Sequence, residues 1–196
     1  MFISNDSKFV FIHVPKCAGS TMHIFFKDKY SVEDRTDPPP LIHHMPYEQY
    51  IRENPHAKNY FSFAFTRNPW SRVVSSFHDY NIKERRGREE YRSFDSFVKE
   101  RLPEVLLNKP EEHTIHYFPS LYFTKGVDFV GKVENIQEDW ERIMEVIMMD
   151  YSDMKLKYHH RATGTGKRYR EYYDSKTKEI VQHFYADDIK EFGYEF

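Results

Sequence analysis

The sequence predicts an α/β fold in which a central, mainly parallel sheet is flanked by helices on both faces. Short apolar runs rich in Phe, Val and Ile alternate with helical stretches along the chain, and two of these runs pass directly into a helix through a tight turn. With 196 residues, the chain has the length of one domain, and we expect a single domain over residues 1–196. In such a sheet, ligands bind at the carboxyl ends of the strands.

The predicted strands are short runs of aromatic and β-branched residues. They lie at Lys8–Val14, Tyr60–Thr66 and Val127–Val133. The chain has 17 Phe, 15 Tyr and 2 Trp residues, which make up 17% of it, while its mean hydropathy is −0.80. Burial of apolar surface must therefore rely on aromatic rings more than on aliphatic side chains, and we expect most of these rings in the core.

The predicted helices follow the strands and the loops between them. They lie at Met22–Tyr30, Tyr47–Asn54, Trp70–Arg85, Ser93–Leu102, Ile136–Met149 and Ser175–Glu191. Pro69 suits the first turn of the third helix, and Ser93 and Asn135 are predicted N-caps. Two polar segments, Asp34–Pro40 with its run of prolines and His159–Arg170 with its glycines and basic residues, are predicted loops.

Charge and composition exclude several classes of protein. The 29 Lys and Arg residues against 31 Asp and Glu residues give a net charge of −2, which argues against a nucleic-acid coat but leaves room for a local basic pocket. A single cysteine, Cys17, excludes an internal disulfide framework and a multi-cysteine zinc site. Because the sequence has neither an apolar run of membrane-spanning length nor a signal-peptide pattern, we expect a cytoplasmic protein without membrane or nucleic-acid partners.

The turn HVPKCAGST, from His13 to Thr21, has the features of a phosphate-binding site. It opens a predicted helix, whose first N–H groups lack acceptors inside the helix and lie at the positive end of its dipole. Lys16 adds a positive charge, Gly19 allows the backbone to approach a ligand closely, and Ser20 adds a hydroxyl donor, as does the threonine that follows it. We therefore expect this turn to bind a phosphate.

Neither the turn HVPKCAGST nor the late segment Gly164–Arg168 matches the ATP-binding loop G-x-x-x-x-G-K-[ST]. In the first turn, Lys16 precedes the only glycine, and in Gly164–Arg168 an arginine stands where the magnesium-binding hydroxyl belongs. The sequence therefore indicates no magnesium site. The adjacent pair His159 and His160 lacks a carboxylate at metal-ligand spacing, so we expect no required metal.

A second turn, FTRNPWSRVVSSF, also joins a predicted strand to a helix. Arg67 stands at the end of the strand, and Ser75 lies about two turns into the helix. An arginine together with a hydroxyl suits a phosphate. Two phosphate sites at the ends of neighbouring strands indicate a nucleotide that carries phosphates at two separate positions.

Together the two turns resemble the nucleotide-binding motifs of a known family. FIHVPKCAGST resembles the 5′-phosphosulfate-binding loop of sulfotransferases that use 3′-phosphoadenosine 5′-phosphosulfate (PAPS), and FAFTRNPWSRVVSSF resembles their 3′-phosphate-binding strand and helix. VDFVGKVENIQEDW and FYADDIKEFGYEF resemble the carbohydrate O-sulfotransferase branch, which includes heparan 2-O- and chondroitin/dermatan sulfotransferases. The resemblance implies a P-loop-NTPase-like three-layer fold and transfer of the sulfuryl group from PAPS to a hydroxyl of a carbohydrate, which leaves PAP.

The resemblance also implies roles for individual residues. The residues that match the 5′-phosphosulfate loop are Lys16, Cys17, Ala18, Gly19, Ser20 and Thr21. Lys16 would in addition stabilise charge on the bridging oxygen, and Arg67 and Ser75 would bind the 3′-phosphate that distinguishes PAPS from ATP. A late basic loop would fold over the nucleotide, and its candidate residues are Arg161, Lys167 and Arg168.

Transfer to a hydroxyl also requires a base, for which a histidine with a pKa near neutrality is suited. The segment HHMPYEQY resembles the part of heparan 2-O-sulfotransferases that carries catalytic histidines before a helix. By that match His44 is the better candidate and His43 the second. The family spaces its two histidines by one residue, whereas here they are adjacent, so the choice between them stays open.

Two other functions remain open from the sequence. A nucleotide kinase of related fold would prefer ATP, and the missing ATP-binding pattern and magnesium ligands argue against it. A non-catalytic nucleotide-binding module would bind PAP without any transfer, and Lys16 with a candidate base argues against that.

Overall fold

A computed structural model describes residues 1–29, 44–84, 93–111, 114–147 and 168–196. The strands β1 to β4 are Phe2–Ser4, Phe9–Ile12, Phe61–Thr66 and Phe129–Lys132. The α-helices α1 to α9 are Gly19–Lys29, Tyr47–Glu53, Pro69–Glu84, Phe94–Ser96, Leu102–Leu106, Ser120–Thr124, Ile136–Val146, Ser175–Phe184 and Ala186–Phe192. Other helical turns lie at Pro55–Asn59, Phe97–Arg101, Ile115–Tyr117, Val133–Asn135 and Tyr169–Tyr172.

The described strands form one sheet in the order β1-β2-β3-β4. β2 pairs in parallel with β3, with Ile12 opposite Ala64, and β3 pairs in parallel with β4, with Thr66 opposite Lys132. β1 lies antiparallel to β2 and was not predicted, because a strand of three residues carries too little periodicity to be recognised. The predicted α/β class with a mainly parallel sheet is confirmed, whereas the three-layer arrangement stays a prediction.

The contacts of the chain fall into two compact units. The first comprises Met1–Arg67 with Tyr122–His159 and contains the whole sheet. The second comprises Asn68–Leu121 with His160–Phe196 and consists, in its described part, of helices and turns. The single domain expected over residues 1–196 stays a prediction.

Aromatic rings form the core of the first unit. Phe9 and Phe63, on neighbouring strands, are fully buried, and their ring centroids lie 5.8 Å apart. Phe26 of α1 lies 5.3 Å from Phe9, and Trp140 of α7 lies 5.8 Å from Phe26 and 6.4 Å from Phe63. Each such pair contributes about 0.5–1.5 kcal/mol beyond its buried area. The expectation that aromatic rings fill the core is therefore confirmed here, and the same rings hold α1 and α7 against the sheet.

Hydrogen bonds of side chains fix the register of β3 against β4. The N–H and hydroxyl of Ser62 donate to Asp128 Oδ2 at 2.8 and 2.6 Å, and the Asp128 N–H donates to Ser62 Oγ at 2.9 Å. Near the carboxyl end of β4, the Lys132 N–H donates to Asp139 Oδ2 at 2.7 Å. A slip of one residue would turn every side chain of a strand to the other face. These bonds therefore determine which residues reach the carboxyl edge of the sheet.

A network of buried polar groups lies in the second unit. Arg72 of α3 is 1% exposed and donates from Nη2 to the Phe118 carbonyl at 2.6 Å. Asp188 of α9 is also 1% exposed and accepts from the N–H groups of Ser120 and Leu121 at 2.6 and 2.8 Å. Burial raises the pKa of Asp188, and the Arg72 guanidinium acts in the opposite direction. The carboxylate is thus held by partners from two separate elements.

One predicted helix cap is present and the other is not. The Ser96 N–H donates to Ser93 Oγ at 3.1 Å, so Ser93 caps α4 as predicted. The predicted cap by Asn135 is wrong, because its side chain makes no capping hydrogen bond. The helical turn Val133–Asn135 leads directly into α7 and replaces a capped start.

The predicted helix over Ser175–Glu191 is wrong in being continuous, since α8 and α9 are separated at Tyr185. Tyr185 is 1% exposed, and its hydroxyl donates to the Tyr117 carbonyl. This tertiary anchor has no counterpart in the local sequence pattern, which contains neither glycine nor proline at the break.

Among the helices that the structure describes, none is both long enough and apolar enough to cross a membrane.

We expect Asp188→Ala to lower the free energy of unfolding by about 3 kcal/mol or more, because the two N–H donors would lose a buried acceptor and the Arg72 guanidinium would lose a nearby negative charge. Urea denaturation followed by circular dichroism measures this change. Asp187→Ala, at the exposed neighbouring position of α9, is the matched control and should change stability by less than about 0.5 kcal/mol. Equal stability of the two variants would contradict the role given to Asp188.

Candidate functional site

The loop between β2 and α1 has an unusual backbone conformation. Lys16 and Ala18 are left-handed, with φ of 64° and 61°, while Cys17 between them is not. This conformation costs roughly 1–2 kcal/mol for a residue other than glycine, so it persists only where the surrounding structure imposes it. Alternation of left-handed and ordinary residues turns successive N–H groups towards one side and forms a concavity that binds anions. The loop therefore fits a phosphate group by its backbone as well as by the charge of Lys16.

The first turn of α1 adds further donors to this loop. The Met22 N–H donates to the Ala18 carbonyl at 3.1 Å, so Gly19, Ser20 and Thr21 form the amino end of the helix. N–H groups in this first turn have no acceptor within the helix and lie at the positive end of its dipole. Ser20 is exposed, whereas Thr21 is buried, so the Ser20 hydroxyl is the one open to solvent.

The side chains of the loop do not all face the same way. Lys16 is half-buried, and Cys17 is fully buried. The thiol of Cys17 therefore belongs to the core, and its backbone N–H donates to the Val14 carbonyl at 3.3 Å. Cys17 thus anchors the loop between its two left-handed neighbours.

His13, to which the sequence analysis assigned no role, contacts this loop directly. A β-carbon built on Gly19 would overlap the imidazole ring of His13. The glycine is therefore required by the neighbouring ring, in addition to any approach of a ligand to the backbone. The signal in the sequence was the position of His13, which is the first residue after β2 and opens the quoted motif.

His44 lies against His13. It is 7% exposed, its ring centroid is 4.4 Å from that of His13, and its Nδ1 is 3.0 Å from the His13 carbonyl oxygen. Because a carbonyl oxygen only accepts hydrogen bonds, Nδ1 of His44 is the donor in this contact. A neutral imidazole that donates from Nδ1 has its lone pair on Nε2, which is the tautomer that suits a general base acting through Nε2. The alternative base, His43, lies outside the described residues.

Arg67 follows β3 at the same edge of the sheet. Since β2 and β3 are parallel, their carboxyl ends meet at one edge, so Arg67 and the Lys16 loop follow neighbouring strands. Arg67 is half-buried. The residue before it, Thr66, is fully buried, and its Oγ1 has no hydrogen-bond partner among the residues that the structure describes.

Other residues of the second motif lie in the second unit. Ser75 is half-buried on α3. Asn68 accepts from the Ser71 N–H at 3.2 Å through Oδ1 and donates through Nδ2 to the Glu195 carbonyl at 2.7 Å. Asn68 therefore caps α3 and ties its first turn to the end of the chain. Asn68 and the buried Arg72 thus have structural roles that the sequence analysis did not assign.

The late basic loop falls almost entirely outside the described residues, including Arg161 and Lys167. Arg168 is described, and its exposed Nε lies 3.5 Å from Glu171 Oε1, a solvent-exposed ion pair of the kind that is usually weak. The predicted loop is wrong at its end, because Tyr169–Tyr172 form a helical turn. The Arg168 N–H donates to Glu171 Oε1 at 3.2 Å and so closes that turn.

Within residues 1–29, 44–84, 93–111, 114–147 and 168–196, no group of three or more His, Cys, Asp or Glu side chains is arranged to hold a metal ion. The pair His159 and His160 lies outside these ranges.

Comparison with known proteins adds two findings. A family model described as "Sulfotransferase family" matches residues 1–195. A relative from Archaeoglobus fulgidus, described as an uncharacterized protein, is 35% identical over 88 residues, which cover 45% of this chain and 68% of the relative. The family match thus extends over both of the strand-to-helix turns, at Lys16 and at Arg67.

We expect Gly19→Ala to lower the free energy of unfolding by about 1–3 kcal/mol, because the added methyl group would displace the His13 ring from a packed position. Urea denaturation measures the effect. Ala18→Gly is the matched opposite change at the adjacent position, and its free energy of unfolding should stay within about 1 kcal/mol of the wild-type value. Relief of the left-handed strain at this position offsets the added freedom of the unfolded chain. A Gly19→Ala variant as stable as the wild type would contradict the packing described.

Proposed function

The chain belongs to the sulfotransferase family, whose model matches residues 1–195, and we propose that it transfers the sulfuryl group from PAPS to a hydroxyl of a carbohydrate. The observation that carries this proposal is the left-handed loop at Lys16 and Ala18, which opens α1 at the edge of the sheet where Arg67 also emerges. These features supply donors for phosphates at two positions of one nucleotide.

In this proposal the loop and α1 bind the 5′-phosphosulfate through their backbone N–H groups and the Lys16 ammonium group. A concavity of backbone N–H groups binds an anion irrespective of side-chain type, which is why an alanine such as Ala18 serves there. Cys17 supports the loop, since its N–H donates to the Val14 carbonyl. Arg67 binds the 3′-phosphate, because its planar guanidinium donates two parallel hydrogen bonds to such a group. The resemblance assigns Ser75 to the same phosphate.

The transfer itself is an in-line displacement without a covalent intermediate on the enzyme. The acceptor oxygen forms a bond to sulfur while the bond between sulfur and the bridging oxygen breaks, and PAP leaves. Nε2 of His44 takes the hydroxyl proton, and the His13 carbonyl, which accepts from Nδ1, stabilises the resulting imidazolium. Lys16 stabilises the negative charge that develops on the bridging oxygen.

A carbohydrate is proposed as the acceptor because the stretches around β4 and α9 resemble the carbohydrate O-sulfotransferase branch. An acceptor of this kind presents many hydroxyl groups, and His44 would have to select one of them by position. The proposal requires no metal, because Lys16 and the backbone donors supply the charge that a cation would otherwise provide.

We expect PAP to stabilise the protein in a thermal-shift titration without magnesium, and ADP and ATP to do so much less. A ligand that binds only the folded state adds RT ln(1 + [L]/Kd), about 2.7 kcal/mol at a concentration of 100 Kd. Arg67→Ala should abolish the preference for PAP over ADP, while Arg52→Ala, an exposed arginine of α2, should keep it. An equal shift with ADP or ATP would contradict the proposal and favour a kinase.

We expect Lys16→Ala and His44→Ala each to lower kcat by about 10²-fold or more, since each removes a group that acts on the reacting atoms. Formation of PAP from PAPS in the presence of a panel of oligosaccharides measures turnover. Lys58→Ala and His56→Ala, at exposed positions between α2 and β3, are the matched controls and should retain full activity.

Near-normal turnover of His44→Ala would remove His44 from the mechanism and make His43 the candidate. Binding of PAP by the wild type without transfer to any acceptor would instead indicate a non-catalytic module.

A further inference from the structure

His13 contacts both parts of the candidate site. Its ring lies 6.1 Å from that of Phe11 at an interplanar angle of 22°, and 4.4 Å from the ring of His44. The same ring occupies the space beside Gly19 that a β-carbon would need. One imidazole thus lies next to the phosphate-binding loop and next to the candidate base.

The glycine at position 19 is explained by this ring. Gly19 does not have the left-handed φ that would favour glycine for its backbone conformation alone. Nε2, Cδ2 and Cε1 of His13 would all overlap an added β-carbon, so the whole tip of the ring lies over Gly19. The distance between His13 and the start of α1 is therefore set by direct packing.

His44 is held by two different parts of His13. The His13 carbonyl accepts from Nδ1, which fixes the direction of one edge of the His44 ring, and the imidazole of His13 limits the movement of the ring out of its plane. The carbonyl contact is available to any residue at position 13. The ring contact requires the side chain.

We propose that the imidazole of His13 is a positioning group that sets the separation between His44 and the loop that binds the sulfuryl donor. The proposal rests on the function proposed above. In-line transfer requires the base and the sulfur atom to approach the acceptor hydroxyl together, and a misplacement of about 1 Å lowers such a rate by about 10²-fold. His13 is not assigned any proton transfer of its own.

The test compares wild type with His13→Ala in the full chain, with His56→Ala as the control at an exposed histidine. We expect His13→Ala to lower kcat by about 10- to 100-fold. The Kd for PAP should change by less than about 3-fold, because the left-handed loop and Lys16 remain. A wild-type kcat in His13→Ala would overturn the proposal.

Nitrogen-15 NMR of the imidazoles provides a readout that is independent of activity. His44 should be in the Nδ1–H form in both proteins, because the carbonyl acceptor at position 13 remains in His13→Ala. Loss of the ring contact should instead shift and broaden the His44 ring resonances in His13→Ala, as the ring gains freedom to move. A lowered kcat with an unchanged His44 spectrum would overturn the positioning role. If the wild type transferred nothing from PAPS while the His44 spectrum changed as expected, the proposed function would fail and the role of His13 towards His44 would stand.

A double-mutant cycle tests the contact with the loop. Gly19→Ala should lower the urea midpoint in the wild-type background and leave it unchanged in the His13→Ala background, where the ring no longer occupies the space. Equal losses in both backgrounds would overturn the contact. If His13→Ala alone did not fold, the kinetic and NMR measurements would be made on the double variant, whose new methyl group fills part of the vacated space.

Discussion

The parallel pairing of β2 with β3 is the constraint on which the candidate site depends. It brings the end of β2, and with it the Lys16 loop, to the same edge as Arg67, although these residues are far apart in the sequence. Parallel neighbours need a long crossover, which here contains α1 and α2. The hydrogen bonds between Ser62 and Asp128 fix the pairing of β3 with β4, so these two strands also end in a defined register at this edge.

The strained loop depends on that sheet for its support. Left-handed backbone at Lys16 and Ala18 is unfavourable by roughly 1–2 kcal/mol for each residue. Full burial of an apolar side chain contributes about 1.5–3 kcal/mol, and Val14 and Phe26, on either side of the loop, are both fully buried. Packing on the two flanking elements is thus sufficient in magnitude to hold a conformation that the loop residues alone would not adopt. An anion in the concavity would stabilise the same conformation.

Much of the framework could be predicted from the sequence, because its signals are local. Runs of aromatic and β-branched residues indicated β2, β3 and β4, and a proline and a serine indicated the starts of α3 and α4. The split at Tyr185 could not be predicted, since it depends on a bond to Tyr117, which is distant in the sequence. The role of His13 was missed for the same reason. The motif suggested that Gly19 serves a ligand, and only the folded chain shows the ring that also requires it.

The second motif shows why burial has to be considered together with residue type. It contains two arginines, Arg67 and Arg72, and either side chain is chemically suited to a phosphate. Arg72 is 1% exposed, donates to the Phe118 carbonyl and acts electrostatically on Asp188. If the Arg72 guanidinium moved towards a nucleotide, the Phe118 carbonyl and the Asp188 carboxylate would stay buried without this partner, at a cost of several kcal/mol. Arg67 stands half-buried at the carboxyl edge of the sheet. The burial of Arg72 in this network therefore favours Arg67 as the arginine of this stretch that is proposed to bind a phosphate.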